Sequence, residues 1–289
     1  MLNKIKKSLA YRLPVIYQYI LRHKKLKSEH KPTTDLNVIT MTGSAHIELT
    51  RLSVLSIANK WSKLPKLIVY GDGSISEKEI RANLSFWRGE IEVGEWLSAK
   101  KHHIEKGRKA ILQYADINPF GKKLVLILFH AAQHQTMWID SDILFFNDFL
   151  PYIPNQNLDF LCGGSEDWLQ AFDDRIVNKL ESNFSPDYKF NAGMLYIFGK
   201  DLYEKYNLDN MLKNIHPNYD FLTEQTIFAH IANNSLGVIW KQNVLKNSHE
   251  DNQSINATAL NEVIARHYVS NVRHLFWRDA FLHFNYLNN

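Results

Sequence analysis

At 289 residues, 45% hydrophobic and 22% charged, the chain is long and apolar enough to bury a full core as one large α/β domain or as two tightly fused halves, which excludes disorder as its default. The net charge of +4 is uneven: residues 1–31 carry nine basic side chains against Glu29 alone, a local +8, which leaves residues 32–289 at −4. With the basic excess in a tail and not on the body, nucleic-acid binding is set aside; a single cysteine, Cys162, excludes an intramolecular disulfide framework and a thiolate zinc cluster.

The tail, KIKKSLAYRLPVIYQYILRHKKLK, has an apolar stretch too short to span a bilayer and broken by Arg12, Pro14 and Gln18. No small-residue cleavage site follows it, so no secretory signal is read and a cytoplasmic location is expected. Two readings stay open. One is a solvated helix or extension of the fold. The other is a basic amphipathic element on anionic lipid at the inner face of a membrane, with Leu9, Leu13, Ile16 and Ile20 turned to the membrane. Residues 1–34 are taken as this basic extension and residues 35–289 as the folded domain.

The run LNVITM (36–41) predicts a strand that stops at Thr42-Gly43-Ser44, a turn cluster. Ile47, Val54, Ala58 and Trp61 then recur at helical spacing, and LIVY (67–70) predicts a second strand ended by Gly71-Asp72-Gly73. Strand, helix, strand at this pitch is a βαβ unit of a parallel sheet, with the Thr42–Ser44 loop at the carboxyl edge where such sheets bind ligands. Asn118 can cap a further helix, Pro119 suits its first turn, and Phe120, Leu124, Ile127 and Ala131 follow at offsets of 4, 3 and 4. That helix leads to a strand over 137–139. Further strands are predicted over 158–162, 190–198 and 237–240, with a helix starting near Thr223.

The strand over 137–139 runs straight into Asp140-Ser141-Asp142 and then ILFF. Two carboxylates where an apolar strand ends can converge on one hard cation, Mn²⁺ or Mg²⁺, that keeps positions open for phosphate oxygens. Arg273 offers a planar fork for such oxygens, and Lys122 and Lys123 lie in the first turn of the Asn118 helix, where an anion is favoured. Of the two, Lys122 is taken as the anion contact. Asp167, Asp173 and Asp174 read as loop surface, and Asp72 as a turn residue. Trp168, Trp277 and Tyr268 read as aromatic core before sugar-stacking faces, and Cys162 as buried and inert.

The run MWIDSDILFF resembles the DxD strand of GT-A glycosyltransferases, and three further pieces agree in order over roughly residues 36–278. FNAGML (190–195) resembles the NAG strand of these folds, in which Asn191 and the backbone at Gly193 would line the donor-sugar pocket. Glu224-Gln225 resembles the acidic-Gln pair at the next helix start, with Glu in place of the usual Asp. His267 falls where glycosyltransferase family 8 carries a third metal ligand in the pattern H-x-x-G-x-x-K-P-W. Arg273 stands for the Lys of that pattern, Ser270 replaces the Gly, and His274-Leu275 replaces Pro-Trp.

The resemblance implies a single GT-A (Rossmann-like) domain with a mixed, mainly parallel central sheet flanked by helices. It implies a metal held by Asp140, Asp142 and His267, and a nucleotide-sugar donor, with UDP expected, bound by Thr42, Gly43, Lys122, Asp140, Gly193 and Arg273. The expected activity is transfer of a sugar to a hydroxyl of a carbohydrate or glycolipid acceptor, with Asn191, Glu224 and Gln225 nearest the chemistry. Glu224 as general base would mean inversion; Gln225 under the anomeric carbon, as the resemblance implies, would mean retention, and retention is preferred. The alternatives are a non-catalytic GT-A-like module that binds a sugar nucleotide, and a haloacid-dehalogenase-type phosphohydrolase using the same D-x-D.

Overall fold

The computed structural model describes residues 2–154, 161–180, 184–259 and 262–284. The chain opens with helix α1 (Leu2–His23) and continues through β1 (Thr33–Thr42), α2 (Ile47–Lys60), β2 (Leu64–Gly71), α3 (Glu77–Asn83) and β3 (Ile91–Gly94). Three helices follow, α4 (Trp96–Glu105), α5 (Lys109–Ile117) and α6 (Pro119–Ala131), before β4 (Thr136–Ile139) and β5 (Ile143–Phe145). The second half holds β6 (Leu161–Ser165), α7 (Asp174–Val177), β7 (Asn191–Phe198), α8 (Leu202–Lys205), α9 (Leu208–Ile215) and α10 (Thr223–Asn233). It ends with β8 (Val238–Trp240), β9 (Leu245–Lys246), β10 (Ala265–His267) and α11 (Arg273–Phe284).

Among the described residues, seven strands form one sheet in the order β3-β2-β1-β4-β7-β6-β8, and β5, β10 and β9 form a second, small one. In the large sheet only β7 runs against its neighbours: it pairs antiparallel with β4 and β6, whereas β1–β2, β1–β4, β2–β3 and β6–β8 are parallel. The strands alternate sides as a period of two demands. Val38, Met137, Ile139, Met194 and Tyr196 face one apolar layer with α2, α11 and the small sheet. Ile39, Trp138, Leu195 and Ile197 face the other, with α5, α6, α9 and α10. The expected mixed, mainly parallel sheet flanked by helices is the architecture found.

Local signals explain the elements that matter most for the site. Asn118 accepts a hydrogen bond from the Phe120 amide and Pro119 opens α6, so the helix starts where the capping pattern places it. Leu124, Ile127 and Ala131 are buried, and Phe120 turns out to the surface. Two expectations shift. The strand expected over 158–162 is β6 at Leu161–Ser165, because the small Gly163 and Gly164 continue the pairing; residues 158–160 lie outside the described residues. The second concerns the run before His267, for which no strand was expected: Ala265 begins β10, which pairs antiparallel with β5.

α1 is tied to the domain body. It packs along α11, with Tyr11 stacked on His274 at 4.4 Å and Tyr17 on Phe281 at 4.4 Å. Arg51 of α2 donates to the backbone oxygens of Leu21, Arg22 and Lys24.

Candidate active site

β4 ends at Ile139 and the chain turns through Asp140–Asp142 into β5, so the two carboxylates stand at the carboxyl edge of the parallel sheet. The turn is pinned on both sides: the Asp140 amide donates to the Gly193 oxygen at 2.8 Å, and the Tyr268 amide donates to the Asp142 oxygen at 2.9 Å. The antiparallel register of β10 with β5 sets His267 opposite Ile143, one residue past Asp142. Long-range pairing thus delivers the third candidate ligand.

The three side chains converge. His267 Nε2 lies 3.3 Å from Asp142 Oδ1 and 3.9 Å from Asp140 Oδ2, and one ligand atom from each residue falls within 4.8 Å of the others. The remaining carboxylate oxygens are held elsewhere. Asp140 Oδ1 accepts from Trp138 Nε1 at 2.7 Å and from Lys123 Nζ at 3.3 Å; Asp142 Oδ2 accepts from Arg273 Nε at 2.9 Å. Two carboxylate oxygens and one imidazole nitrogen are therefore turned to a common point, a donor set that fits a hard or borderline divalent cation. Gly193 makes room for it: a Cβ there would lie 2.0 Å from the His267 ring.

Electrostatics agree with that geometry. Burial pushes the Asp142 carboxyl up, but hydrogen bonds and charge from His267 and Arg273 outweigh it and hold the group below its ordinary value. Lys123 is buried, 3.3 Å from Asp140 and 3.3 Å from Glu224, and donates to the Ala192 oxygen at 2.7 Å. Burial alone would lower its ammonium, yet the two carboxylates keep it above its ordinary value. Glu224 is pushed up to about 7 by burial, with Lys123 pulling against that rise.

These groups line a cavity of about 480 Å³. Asn191 accepts from the Gly193 amide at 2.9 Å and donates to Asp167 Oδ2 at 3.0 Å. Gln225 accepts from the Ala192 amide at 3.4 Å and donates to the Ala171 oxygen at 2.9 Å. Both amides are held in fixed orientation beside the Asp140–Asp142 turn.

Of the residues expected at the site, Asp140, Asp142, His267, Arg273, Asn191, Gly193, Glu224 and Gln225 all border this cavity. Lys122 does not: its ammonium sits over the Trp96 ring at 5.9 Å, and its neighbour Lys123 reaches inward. The helical period contained this signal, since Lys123 lies four residues before Ile127 on the buried face. Thr42 is turned into the body, where it accepts from the Thr50 hydroxyl, and Gly43 lies against Asp72; Met41 and His46 are the residues of that loop that border the cavity.

Asp167 is a correction. Expected on a loop surface, it is 8% exposed, borders the cavity and accepts from Asn191. Asp173 is buried as the cap of α7 and accepts from the Thr223 hydroxyl, whereas Asp174 is exposed. Trp168 is half exposed at the cavity rim, tilted against His249 at 4.7 Å. Tyr268 is fully buried and donates to Asp279, Trp277 packs against the core, and Asp72 accepts from Ser74 within its turn. Cys162 is buried, which drives its thiol well above the ordinary range.

No family model and no curated protein sequence matches the chain. Solved structures do. The galactosyltransferase LgtC, solved with donor and acceptor sugar analogues, superposes with a TM-score of 0.53 at 14% identity over 81% of this chain and 87% of its own. Mouse xyloside xylosyltransferase 1 gives 0.56 at 11% identity over 83% of this chain and 99% of its own. The bifunctional glycosyltransferase WbbM gives 0.56 at 13% identity, covering 91% of this chain and 51% of that one.

This chain has the GT-A fold. At 11–14% identity the likeness is one of fold, and it does not single out glycosyltransferase family 8. Asp140-Ser141-Asp142 forms a DxD-like turn at the carboxyl edge of β4, and β7 is the reversed strand that carries Asn191 and Gly193 beside it.

Proposed function

We propose that the chain is a metal-dependent glycosyltransferase that moves a sugar from a nucleoside-diphosphate sugar, a UDP-sugar, to a hydroxyl of a glycan or glycolipid, with retention at the anomeric carbon. One observation carries the reading: Asp140, Asp142 and His267 meet within 4.8 Å on the wall of a cavity that also receives the guanidinium of Arg273. Departure of a nucleotide from a sugar builds negative charge on a diphosphate, and such a site needs preorganised positive groups that cost no reorganisation. A Mn²⁺ or Mg²⁺ ion held by the three ligands would neutralise that diphosphate.

The chain's own residues supply the rest. Arg273 is half exposed at the cavity edge and anchored on Asp142, so its remaining N–H groups are free to meet phosphate oxygens. Lys123 holds Asp140 and Glu224 in place from behind. Asn191 and Asp167 present a hydrogen-bonded polar pair to the sugar hydroxyls, and Gln225, fixed at both ends of its amide, forms the wall beside them. Glu224 is 2% exposed and paired with Lys123. That supports a positioning role over that of a base meeting an acceptor, and so favours retention.

The haloacid-dehalogenase alternative is disfavoured by the mid-chain turn between β4 and β5 and by the glycosyltransferase neighbours. A non-catalytic module would bind a sugar nucleotide without turnover. Thermal melting with UDP and Mn²⁺, together with hydrolysis across a panel of nucleotide sugars, tests both points. Stabilisation that requires the metal and vanishes in Asp142→Ala is expected, with slow hydrolysis of one donor. Stabilisation without hydrolysis of any donor overturns the enzyme reading, and no stabilisation overturns both.

A further inference from the structure

α1 has more apolar surface than the fold uses. Ala10, Pro14 and Leu21 are buried against the body, and Tyr17 stacks on Phe281. Around the helix from that face, Leu9, Ile16 and Ile20 are 38%, 54% and 40% exposed, and Val15 and Tyr19 reach 66% and 69%. Six of the sixteen large hydrophobic side chains exposed among the described residues, Tyr11 included, lie on this one helix. At 3.6 residues per turn, Leu9, Ile16 and Ile20 form one stripe, which Val15 and Tyr19 widen across Arg12. Scattered apolar residues need no account, but a continuous stripe does.

The charge of the segment says what covers it. α1 contains no acidic residue and carries Lys4, Lys6, Lys7, Arg12 and Arg22, and Lys25 and Lys27 follow it. Arg12, Lys25 and Lys27 are exposed and pair with no carboxylate among the described residues. A second copy of the chain docked through this stripe would bring two unbalanced basic segments together, a repulsive arrangement. An anionic surface is attracted instead. No described helix is long and apolar enough to cross a membrane, which fits a helix lying in the interface plane.

We propose that α1 is a peripheral membrane face, inserting Leu9, Val15, Ile16, Tyr19 and Ile20 among the acyl chains of an anionic bilayer while Arg12 and Arg22, with Lys25 and Lys27 just past the helix, meet the lipid head groups. The same helix reaches the site: Tyr11 stacks on His274, next to Arg273 at the cavity edge. Docking brings that edge toward the lipid surface and suits an acceptor carried on lipid, a corollary that rests on the glycosyltransferase reading.

The test is vesicle sedimentation of the full chain, without metal or donor, so that it is independent of catalysis. Phosphatidylcholine vesicles with a phosphatidylglycerol fraction should pellet the protein; pure phosphatidylcholine should not, and raised salt should weaken binding. Ile16→Glu combined with Tyr19→Glu should cut the affinity at least about tenfold, since two inserted apolar side chains are lost, with an unchanged melting temperature. Val15→Glu alone, at the more exposed edge, guards against a folding defect in the pair. Equal pelleting by wild type and variants overturns the proposal, as does absence of pelleting on anionic vesicles. Gel filtration showing a dimer that the double variant converts to monomer would assign the stripe to self-association and also overturn it.

Discussion

Lys123 Nζ stands midway between two carboxylates, 3.3 Å from Asp140 and 3.3 Å from Glu224, with all but a few per cent of its surface buried. The sequence gives no hint of this bridge, because residues 17 and 101 positions apart along the chain meet only when α6, β4 and α10 pack. It links the turn that would hold a metal to the helix that carries Gln225.

Removing the bridge leaves charge without compensation. Lys123→Met keeps the volume but strands Glu224 in a buried position, where breaking such a pair costs about 3–5 kcal/mol. Urea unfolding should show that loss, and the double variant Lys123→Met with Glu224→Gln should recover much of it. A double variant as unstable as the sum of the singles would mean that the two residues do not act as a pair.

Gly193 is the place where the backbone touches His267, the candidate third ligand. A Cβ at this position meets the His267 ring at 2.0 Å, a distance that no rotamer tolerates, so Gly193→Ala must move the imidazole. The expected cost to stability is about 1–3 kcal/mol, as for overpacking in a core. The metal should feel it more: Mn²⁺ affinity, read by isothermal titration, should fall about 10–100-fold, as when the support of a ligand is disturbed. Wild-type affinity in Gly193→Ala would show that His267 does not contribute to the ion.

How far these groups were legible in the sequence follows from the range of the interactions. Asp140, Asp142 and the α6 start were local: an apolar strand end, a cap and a proline within a few residues. The βαβ opening and β7 were legible for the same reason, as periodicity and turn residues act over short windows. Lys123 was half legible, since the helix period distinguishes it from Lys122, although its partners do not show. Asp167 was not legible at all. Its burial depends on the pairing of β6 with β7, which sets Ser165 against Asn191 and carries the next residues over the cavity. The strand of His267 was missed because the run before it is apolar without a clear period, and only its pairing with β5 makes it extended.

Arg273 spends one edge of its guanidinium on Asp142 and offers the other to the cavity. If that edge meets the diphosphate, Arg273→Ala should reduce donor hydrolysis about 10²–10³-fold, the usual effect of losing one preorganised donor to a developing anion. Arg273→Lys keeps the charge but loses the planar fork, and should fall between the two. Thermal unfolding without nucleotide should shift down as well, because Arg273 is one of the two groups that offset the burial of Asp142, so hydrolysis is compared at a temperature where both proteins are folded. Hydrolysis unaffected by Arg273→Ala would remove this residue from the donor site.

Outside the cavity lining, Asp279 gathers a buried network that ties α11 to the body. It accepts from the Thr258 amide at 3.1 Å, the Thr258 hydroxyl at 2.5 Å, the Tyr268 hydroxyl at 2.6 Å and Arg278 Nε at 2.7 Å. Burial raises its carboxyl, but Arg278 and the hydroxyl donors outweigh that and leave it below the ordinary value. The sign follows from linkage. The unfolded chain binds the proton first, so the stabilisation is fully present above the ordinary carboxylate range, about pH 4, and is lost as pH falls through the lower folded-state value. The difference in urea midpoint between wild type and Asp279→Asn should therefore be flat from neutral pH down to about pH 5 and shrink below about pH 4. Asp279→Asn should be less stable at neutral pH, by about 3–5 kcal/mol for breaking a buried charged pair, and should lose less on further acidification. Parallel acid profiles for the two proteins would show that other carboxylates, Asp251 with its Arg266 partner first among them, govern the acid limb.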